Sequence, residues 1–304
     1  MHKHHQVSII GAGPAGLAAA TYLVRAGRHP LVFEKNIPGG LLLNAHSVEN
    51  YLGFPYGIKG SELVDLFLQQ FIRIGGTLHP AEVCCISKLN DHFSIQTKTT
   101  HYTADVVILA SGTIPKKITI PGSENLEGTK LFYDVYFLLK NNNLTKKRIL
   151  VLGGGDAAFD YSLSLYEAGA QVSLLLRSEP KALGILQQRV CEKGIPLFTK
   201  HQPQEILVQN HELILTCTHQ HKTFDFVADF IVVAYGRIPN SGFLTSELQT
   251  AFQITSAFPA TTISGLYVAG DVARMTHRQV GIAVGDGIHA AMHALEYLDT
   301  RKGC

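Results

Sequence analysis

Two glycine-rich turns constrain the fold of this chain more than any other feature. One spans residues 11–16 after the apolar run 7–10, and the other spans residues 153–158 after the apolar run 149–152. In a strand–turn–helix unit, the first glycine permits the tight turn, the second admits a pyrophosphate, and a small third residue lets the helix pack on the sheet. The N–H groups at the helix N-terminus then bind the phosphates. Two dinucleotide sites are therefore predicted, formed by Gly11, Gly13, Pro14, Ala15 and Gly16 and by Gly153, Gly155, Asp156, Ala157 and Ala158.

The residue after the next strand distinguishes the two sites. In the first, the predicted strand 30–33 is followed by Glu34, whose carboxylate is placed to accept hydrogen bonds from ribose hydroxyls. In the second, the predicted strand 172–176 ends without a carboxylate and is followed by Arg177 and Ser178. A carboxylate there would repel a 2′-phosphate, whereas Arg177 and Ser178 are suited to bind one. The second site is therefore predicted to prefer NADPH, with NADH left as the alternative.

Each of the two glycine-turn units ends with a similar apolar strand, which indicates an internal duplication. Residues 105–112 and 229–236 are almost continuously apolar, as expected of strands buried on both faces. The alternating stretch 93–97 is typical of a half-exposed antiparallel strand, and residues 265–271 predict a further buried strand. The predicted fold is α/β, with two Rossmann-like three-layer domains. The second domain is inserted in the first, and each carries an antiparallel β insertion.

Length and charge exclude several classes of function. A chain of 304 residues is long enough for two domains, each with its own core. The formal net charge of +2 gives no strongly basic character of the kind that favours nucleic acid or a membrane surface as a partner. The sequence shows no apolar run of about 18 residues and no signal-peptide pattern. We therefore expect a soluble, cytoplasmic protein.

Further motifs connect the whole chain to one known family. Besides the two glycine turns, the matching segments are residues 38–40, 48–55, 270–271 and 278–280. Together these segments resemble the low-molecular-weight thioredoxin reductase family over nearly the whole chain. The resemblance implies a homodimer in which residues 1–116 and 244–304 bind FAD and residues 117–243 bind NAD(P)H.

The resemblance also assigns roles to single residues. Asp271 is expected to bind the ribityl or pyrophosphate region of FAD, and the helix beginning at Gln279 is expected to stabilise negative charge on the reduced flavin. Its glycines, at 281, 285 and 287, either admit close approach of the backbone or pack the helix on the sheet. Leu41 stands where the family carries a glutamine that faces the flavin. The residues added to the FAD site are Gly40, Leu41, Asn50, Gly112, Gly270, Asp271, Gln279 and Val280, and Gly236 is added to the NAD(P)H site.

The redox dithiol of that family is missing from this sequence. The family carries a Cys-x-x-Cys pair shortly before its second glycine turn, but residues 131–139 contain no cysteine. Asp134 and Phe137 stand at the aligned positions. We therefore predict no catalytic side chain and no metal site, with the flavin itself as the redox centre. The Cys-x-x-Cys spacing is found nowhere among the five cysteines, which are Cys84, Cys85, Cys191, Cys217 and Cys304.

Three functions are open to such a chain. The first is an NAD(P)H-dependent flavoenzyme that delivers electrons to ferredoxin or flavodoxin, as a dithiol-free branch resembling this family does, although the 278–280 pattern is of the thioredoxin reductase type. The second is a thioredoxin or disulfide reductase that uses another thiol. The third is a flavin-bound redox sensor or scaffold with slow turnover. We expect the first.

Overall fold

The computed structural model describes residues 3–254, 259–274 and 276–302, and the chain divides into two compact units. Unit 1 comprises Met1–Leu43, Val48–Ile114 and Ile238–Cys304. Unit 2 comprises Asn44–Ser47 and Pro115–Arg237. The cofactor assigned to each predicted domain remains a prediction.

The chain combines α-helices with single strands and with two longer runs of strands. The strands are β1 (Lys3–Ile10), β2 (Leu31–Glu34), β3 (Leu78–Pro80), β4 (Val83–Leu89), β5 (His92–Thr97), β6 (His101–Leu109), β7 (Thr113–Pro115), β8 (Leu131–Phe132), β9 (Arg148–Leu152), β10 (Gln171–Leu175), β11 (Leu197–Phe198), β12 (Gln202–Gln209), β13 (Glu212–His219), β14 (Lys222–Ala228), β15 (Phe230–Val233), β16 (Arg237–Pro239) and β17 (Leu266–Val268). The α-helices are α1 (Pro14–Arg25), α2 (Gly60–Arg73), α3 (Tyr136–Asn141), α4 (Asp156–Glu167), α5 (Gly184–Glu192), α6 (Ser246–Ile254) and α7 (Val280–Lys302), and 3₁₀ helices span Gly40–Asn44 and Gly270–Ala273.

Unit 1 is built on a seven-stranded sheet with the order β3-β2-β1-β6-β5-β4. The strands β3, β2, β1 and β6 are parallel to one another. The strand β5 pairs antiparallel with β6, and β4 pairs antiparallel with β5. On its other side β6 is shared, because its first half pairs with β5 and its last residues pair with β17. This arrangement confirms the antiparallel insertion predicted from the alternating residues 93–97.

Unit 2 repeats the plan with a five-stranded sheet in the order β11-β10-β9-β15-β8 and a separate antiparallel sheet β12-β13-β14. All strand pairs of the five-stranded sheet are parallel. The strands β7 and β16, in which the chain passes from one unit to the other, pair with each other. Together with the sheet of unit 1, these sheets confirm the predicted α/β class.

Both parallel sheets are buried on two faces, which explains why their strands are continuously apolar. In β6, Val106 and Ile108 belong to one core cluster, and Val107 and Leu109 belong to another. The same alternation holds along β9, where Ile149 and Val151 lie on one face and Leu150 and Leu152 on the other. None of the helices in the described ranges combines the length and apolar character needed to cross a membrane.

Candidate dinucleotide sites

The glycine turn of unit 1 leaves no room for side chains at its first and third positions. Gly11 has a φ of +105°, and a β-carbon built there would lie 2.5 Å from the Ala110 carbonyl oxygen. A β-carbon at Gly16 would lie 1.8 Å from the Gly11 carbonyl oxygen. At Gly13, which caps the N-terminus of α1, a β-carbon would meet no atom within 4 Å. The turn is therefore packed tightly behind and open where a phosphate would approach, as a pyrophosphate cradle requires.

Glu34 lies at the end of β2 with both carboxylate oxygens fixed. Its Oε2 accepts a hydrogen bond of 2.9 Å from the Ala12 amide of the turn, and its Oε1 accepts one of 3.0 Å from the Asn36 amide. Each oxygen retains a further lone pair, because an ionised carboxylate has about four acceptor positions. The carboxylate is thus oriented beside the glycine turn with acceptor capacity left for ribose hydroxyls.

The chain segment after β2 returns to the same turn. The Gly39 amide donates a hydrogen bond of 2.8 Å to the Ala12 carbonyl oxygen. Gly40 has a φ of +56°, and a β-carbon there would lie 3.5 Å from the α-carbon of Gly13. Gly40 therefore borders the cradle, and half-buried Leu41 follows it in the first turn of the 3₁₀ helix.

Two residues assigned by the resemblance meet across 229 positions of sequence. The Asn50 side-chain amide donates a hydrogen bond of 2.9 Å to Oε1 of Gln279. Gln279 directly precedes Val280, the first residue of α7. Neighbouring Tyr51 packs against the rings of Phe54 and Phe67, and its burial raises the pKa of its hydroxyl. The bond between Asn50 and Gln279 fixes the loop 48–58 against the start of α7.

The turn that carries Gly270 and Asp271 faces the first turn of α1. Gly270 has a φ of +74°, and a β-carbon there would lie 2.8 Å from that of Ala15. Buried Asp286 of α7 accepts the Gly270 amide at 3.3 Å and forms a two-pronged ion pair with Arg274, at 2.8 and 3.1 Å. Neither Asp286 nor Arg274 was among the residues predicted from the sequence. An acidic residue between two glycines of an apolar helix was the signal that could have found the first.

Gly287 packs helices together and does not line the cofactor cradle. A β-carbon there would lie 2.1 Å from the Ala15 carbonyl oxygen, so α7 and α1 touch through their backbones at this point. Gly281 and Gly285 have no such contact, since a β-carbon at Gly281 would meet only Tyr51, at 4.0 Å, and one at Gly285 would meet nothing within 4 Å. At Gly287 the close approach is to the backbone of helix α1 and not to the sheet.

Gly112 ends the run that leaves β6. Its φ is +65°, and its carbonyl oxygen accepts the Asn240 amide at 3.0 Å. The Ser111 hydroxyl donates to the Asn240 carbonyl oxygen at 2.7 Å. The carboxyl end of β6 is therefore tied to the chain segment that follows β16.

The glycine turn of unit 2 repeats the packing of the first. A β-carbon at Gly153, whose φ is +152°, would lie 2.6 Å from the Ala234 carbonyl oxygen, whereas one at Gly155 would meet nothing within 4 Å. Gly155 caps α4, which begins at Asp156, and Ala158 is buried below the turn. The Asp156 carboxylate accepts the Leu183 amide at 2.8 Å, which ties the turn to the loop after β10.

A cavity of about 380 Å³ opens in front of this turn. Arg177 lies on its wall with the guanidinium 4.4 Å from the centre of the Tyr235 ring, a cation–π contact that holds the charge in place. Burial raises the pKa of Tyr235 to about 12, so its hydroxyl stays protonated near neutral pH. Three basic side chains line the cavity together with the acidic Asp156 and Glu179, and Arg177 is the group best placed for an anionic part of a ligand. The predicted residues that line it are Gly153, Gly155, Asp156, Ala157, Arg177, Ser178 and Gly236, and Lys181 and Arg237 line it as well.

The segment aligned with the missing dithiol holds a polar network. The Asp134 carboxylate forms an ion pair of 3.0 Å with Arg237, and the Tyr161 hydroxyl donates to the same oxygen at 3.5 Å. Burial, together with the Asp134 charge, raises the pKa of Tyr161 far above its ordinary value. Phe137, at the second aligned position, is exposed on α3. Carboxylate, guanidinium and phenol groups do not form a two-electron couple as a dithiol does.

The segment Asn44–Ser47 belongs to unit 2 although its neighbours belong to unit 1. The Asn44 side-chain oxygen accepts the Val135 and Tyr136 amides, each at 2.9 Å, and so caps α3. The His46 amide donates to Asp160 at 2.9 Å, and burial raises the pKa of that carboxyl. The amide groups at the start of α3 are therefore satisfied by a side chain from a distant part of the sequence.

The described cysteines are all free and lie on different elements, apart from the neighbours Cys84 and Cys85 on β4. Cys84 and Cys191 are exposed, and Cys217 is buried. Burial raises the pKa of the Cys217 thiol to about 12. Cys304 lies outside the described residues. Within those residues no three His, Cys, Asp or Glu side chains are grouped so that they could hold a metal ion.

The fold and the two cradles define a two-unit α/β oxidoreductase of the dinucleotide-binding class. A family model for pyridine nucleotide-disulphide oxidoreductases matches residues 5–287. The chain belongs to this family, and within it the chain is similar to thioredoxin reductases. Proteins of this kind use FAD and NADPH, so the predicted cofactors are confirmed, and the open faces of both cradles fit them.

Three comparisons support this placement. Thioredoxin reductase of Treponema pallidum is 31% identical over 99% of both chains. The bifunctional thioredoxin reductase/thioredoxin of Mycobacterium leprae is 32% identical over 98% of this chain and 67% of that protein. The crystal structure of Lactococcus lactis thioredoxin reductase matches with a TM-score of 0.88 at 28% identity, over 97% of this chain and 99% of the other. The predicted pair of Rossmann-like domains is confirmed.

Proposed function

We propose that the chain is an FAD-dependent NAD(P)H oxidoreductase that passes electrons to a protein acceptor such as ferredoxin or flavodoxin. When bound, FAD accepts a hydride from the nicotinamide and releases the electrons singly or in pairs. The observation that carries the proposal is the Asp134 network, which occupies the segment where the resemblance places a dithiol. Without a thiol couple there, electrons leave by a route that needs no disulfide.

The residues of the two units would bind different dinucleotides. In unit 1, the α1 amides would hold a pyrophosphate and Glu34 a ribose, while the start of α7 would supply positive potential. In unit 2, the α4 amides would hold the second pyrophosphate. Arg177, stacked on Tyr235, would bind a 2′-phosphate with help from Ser178. This arrangement supports NADPH over NADH, and the homodimer implied by the resemblance stays a prediction.

The names of the relatives favour a second candidate function. All three similar proteins described above are thioredoxin reductases, and one of them includes a thioredoxin in its own chain. Thioredoxin is therefore an alternative partner. That function would need another thiol, and the exposed Cys84 and Cys191 are the accessible ones among the described residues.

One experiment separates the two functions. The FAD-bound chain is supplied with NADPH and offered ferredoxin, flavodoxin and oxidised thioredoxin in parallel. A cysteine-free variant is assayed beside it, with Ser at positions 84, 85, 191 and 304 and Ala at buried position 217. The proposal predicts that both proteins reduce ferredoxin or flavodoxin equally. Reduction of thioredoxin that disappears in the cysteine-free variant would support the second candidate instead.

A further inference from the structure

Two histidines on successive turns of α7 point their ring nitrogens at each other. Nε2 of His289 and Nε2 of His293 lie 3.1 Å apart, at a distance where one nitrogen donates a hydrogen bond to the other, and the ring centroids are separated by 4.8 Å. In a tetrahedral site with metal–nitrogen distances of about 2.0 Å, two ligand nitrogens stand roughly 3.3 Å apart. The two nitrogens are therefore already close to the separation that one ion requires.

The His293 ring is held in a defined orientation. The Tyr267 ring stacks on it at a centroid distance of 6.3 Å and an angle of 22°, and the Tyr267 hydroxyl donates to the His293 carbonyl oxygen at 3.2 Å. The Glu296 carboxylate lies 3.6 Å from Nδ1 of the same ring. A carboxylate at Nδ1 favours the tautomer with its proton there, which leaves the Nε2 lone pair for a metal. This is the usual outer partner of a metal-binding histidine.

Solvent reaches the pair from one side. His289 is exposed, and the His293 side chain is 41% exposed. Since the described residues contain no group of three such ligands, water would complete the coordination. Imidazole nitrogens bind Zn²⁺, Ni²⁺ and Cu²⁺ well, whereas Mg²⁺ prefers oxygen ligands.

We propose that His289 and His293 chelate a divalent transition-metal ion through their Nε2 atoms, with Glu296 orienting His293; the ion takes the place of the proton between the two nitrogens, and His289 then carries its proton on Nδ1. The bound ion cross-links two turns of α7. Because the pair is assembled only when the helix is formed, binding stabilises the folded chain by mass action. This site is independent of the proposed electron acceptor.

The test uses the full FAD-bound chain with His2, His4 and His5 changed to Gln, because histidines near the N-terminus are able to bind metal themselves. Calorimetric titration with NiCl₂, and separately with ZnSO₄, should show one ion per chain, and each metal should raise the Tm. MgCl₂ should do neither. In the same background, His289→Gln and His293→Gln should each abolish saturable binding, and Glu296→Gln should weaken it about tenfold.

The matched control is His201→Gln in unit 2. His201 stacks on His219 with parallel rings 4.7 Å apart, and its Nδ1 bonds to the Thr199 carbonyl oxygen, so this pair does not chelate. The control should bind Ni²⁺ like the background protein. The proposal is wrong if the background chain binds no Ni²⁺ or Zn²⁺, or if His293→Gln retains its affinity.

Discussion

The two glycine turns of the molecule have nearly the same backbone and different surroundings. Gly11 and Gly153 both have a positive φ, and a β-carbon built at either would lie too close to a carbonyl oxygen at the end of a neighbouring strand. Gly13 and Gly155 both cap a helix and face open space. The turn itself therefore suits any pyrophosphate and does not determine which dinucleotide binds.

The difference lies at the end of the following strand. Glu34 is the last residue of β2 and is bonded to the turn, whereas β10 is followed by buried Leu176 and then by Arg177 on the Tyr235 ring. A carboxylate suits ribose hydroxyls, and a fixed guanidinium suits a phosphate. The residues at the end of this strand therefore separate a site expected to hold FAD from one expected to hold NADPH.

The largest effect should come from filling the tight part of a turn. In Gly16→Ala, the new β-carbon would overlap the Gly11 carbonyl oxygen, and overpacking of this kind costs about 3 kcal/mol. The apo protein should unfold at a clearly lower temperature. Gly13→Ala is the matched variant, because its β-carbon enters open space: it should keep the apo Tm and lose FAD affinity. Equal apo Tm values for the two variants would contradict the distinction between a tightly packed position 16 and an open position 13.

Glu34→Gln should weaken FAD binding about a hundredfold. A hydrogen bond to a charged group contributes about 1.5–3 kcal/mol, and the amide also loses one of the two acceptor oxygens that Glu34 uses. FAD affinity is measured by fluorescence quenching on the apo protein. Exposed Glu62→Gln on α2 serves as the control and should bind FAD normally. Unchanged FAD affinity in Glu34→Gln would show that the carboxylate does not contribute to FAD binding.

Arg177→Gln should raise the KM for NADPH about tenfold, at the low end of what a charge-assisted bond contributes. The effect should be smaller than that of Glu34→Gln because Lys181 lines the same cavity. The KM for NADH is the internal control and should not change, since NADH has no 2′-phosphate. Equal losses with both nucleotides would show that Arg177 acts on structure and not on the phosphate.

The smallest effect should come from blocking the thiols. At pH 8, iodoacetamide should label Cys84 and Cys191 while Cys217 stays unmodified, because its pKa of about 12 keeps the thiol protonated. Peptide mass spectrometry reads out the sites. The labelled protein should reduce an artificial dye with NADPH at the unlabelled rate. A loss of dye reduction would place a thiol in the electron path.

Sequence alone predicted the features that depend on neighbours in the chain. The strand–turn–helix units, the two-faced burial of β6 and β15, and the antiparallel β5 follow from local pattern. The turn glycines were singled out for steric reasons, and the contacts at Gly11 and Gly16 agree with those reasons.

Contacts between distant segments could not be predicted from the sequence. Nothing local pairs Asn50 with Gln279, places Asn44 at the start of α3, or brings Asp286 to the Gly270 amide. Gly287 shows the same limit, because its close approach to Ala15 of α1 depends on how the two helices pack. The tertiary partner, and not the residue type, determines such roles.

The proposed function requires that the FAD-bound chain contains no redox-active thiol pair, which an anaerobic dithionite titration can measure. Bleaching of the flavin absorbance should be complete after one two-electron equivalent per FAD, and further reductant should remain unused. Uptake of a second equivalent per FAD would reveal another two-electron centre and contradict the account.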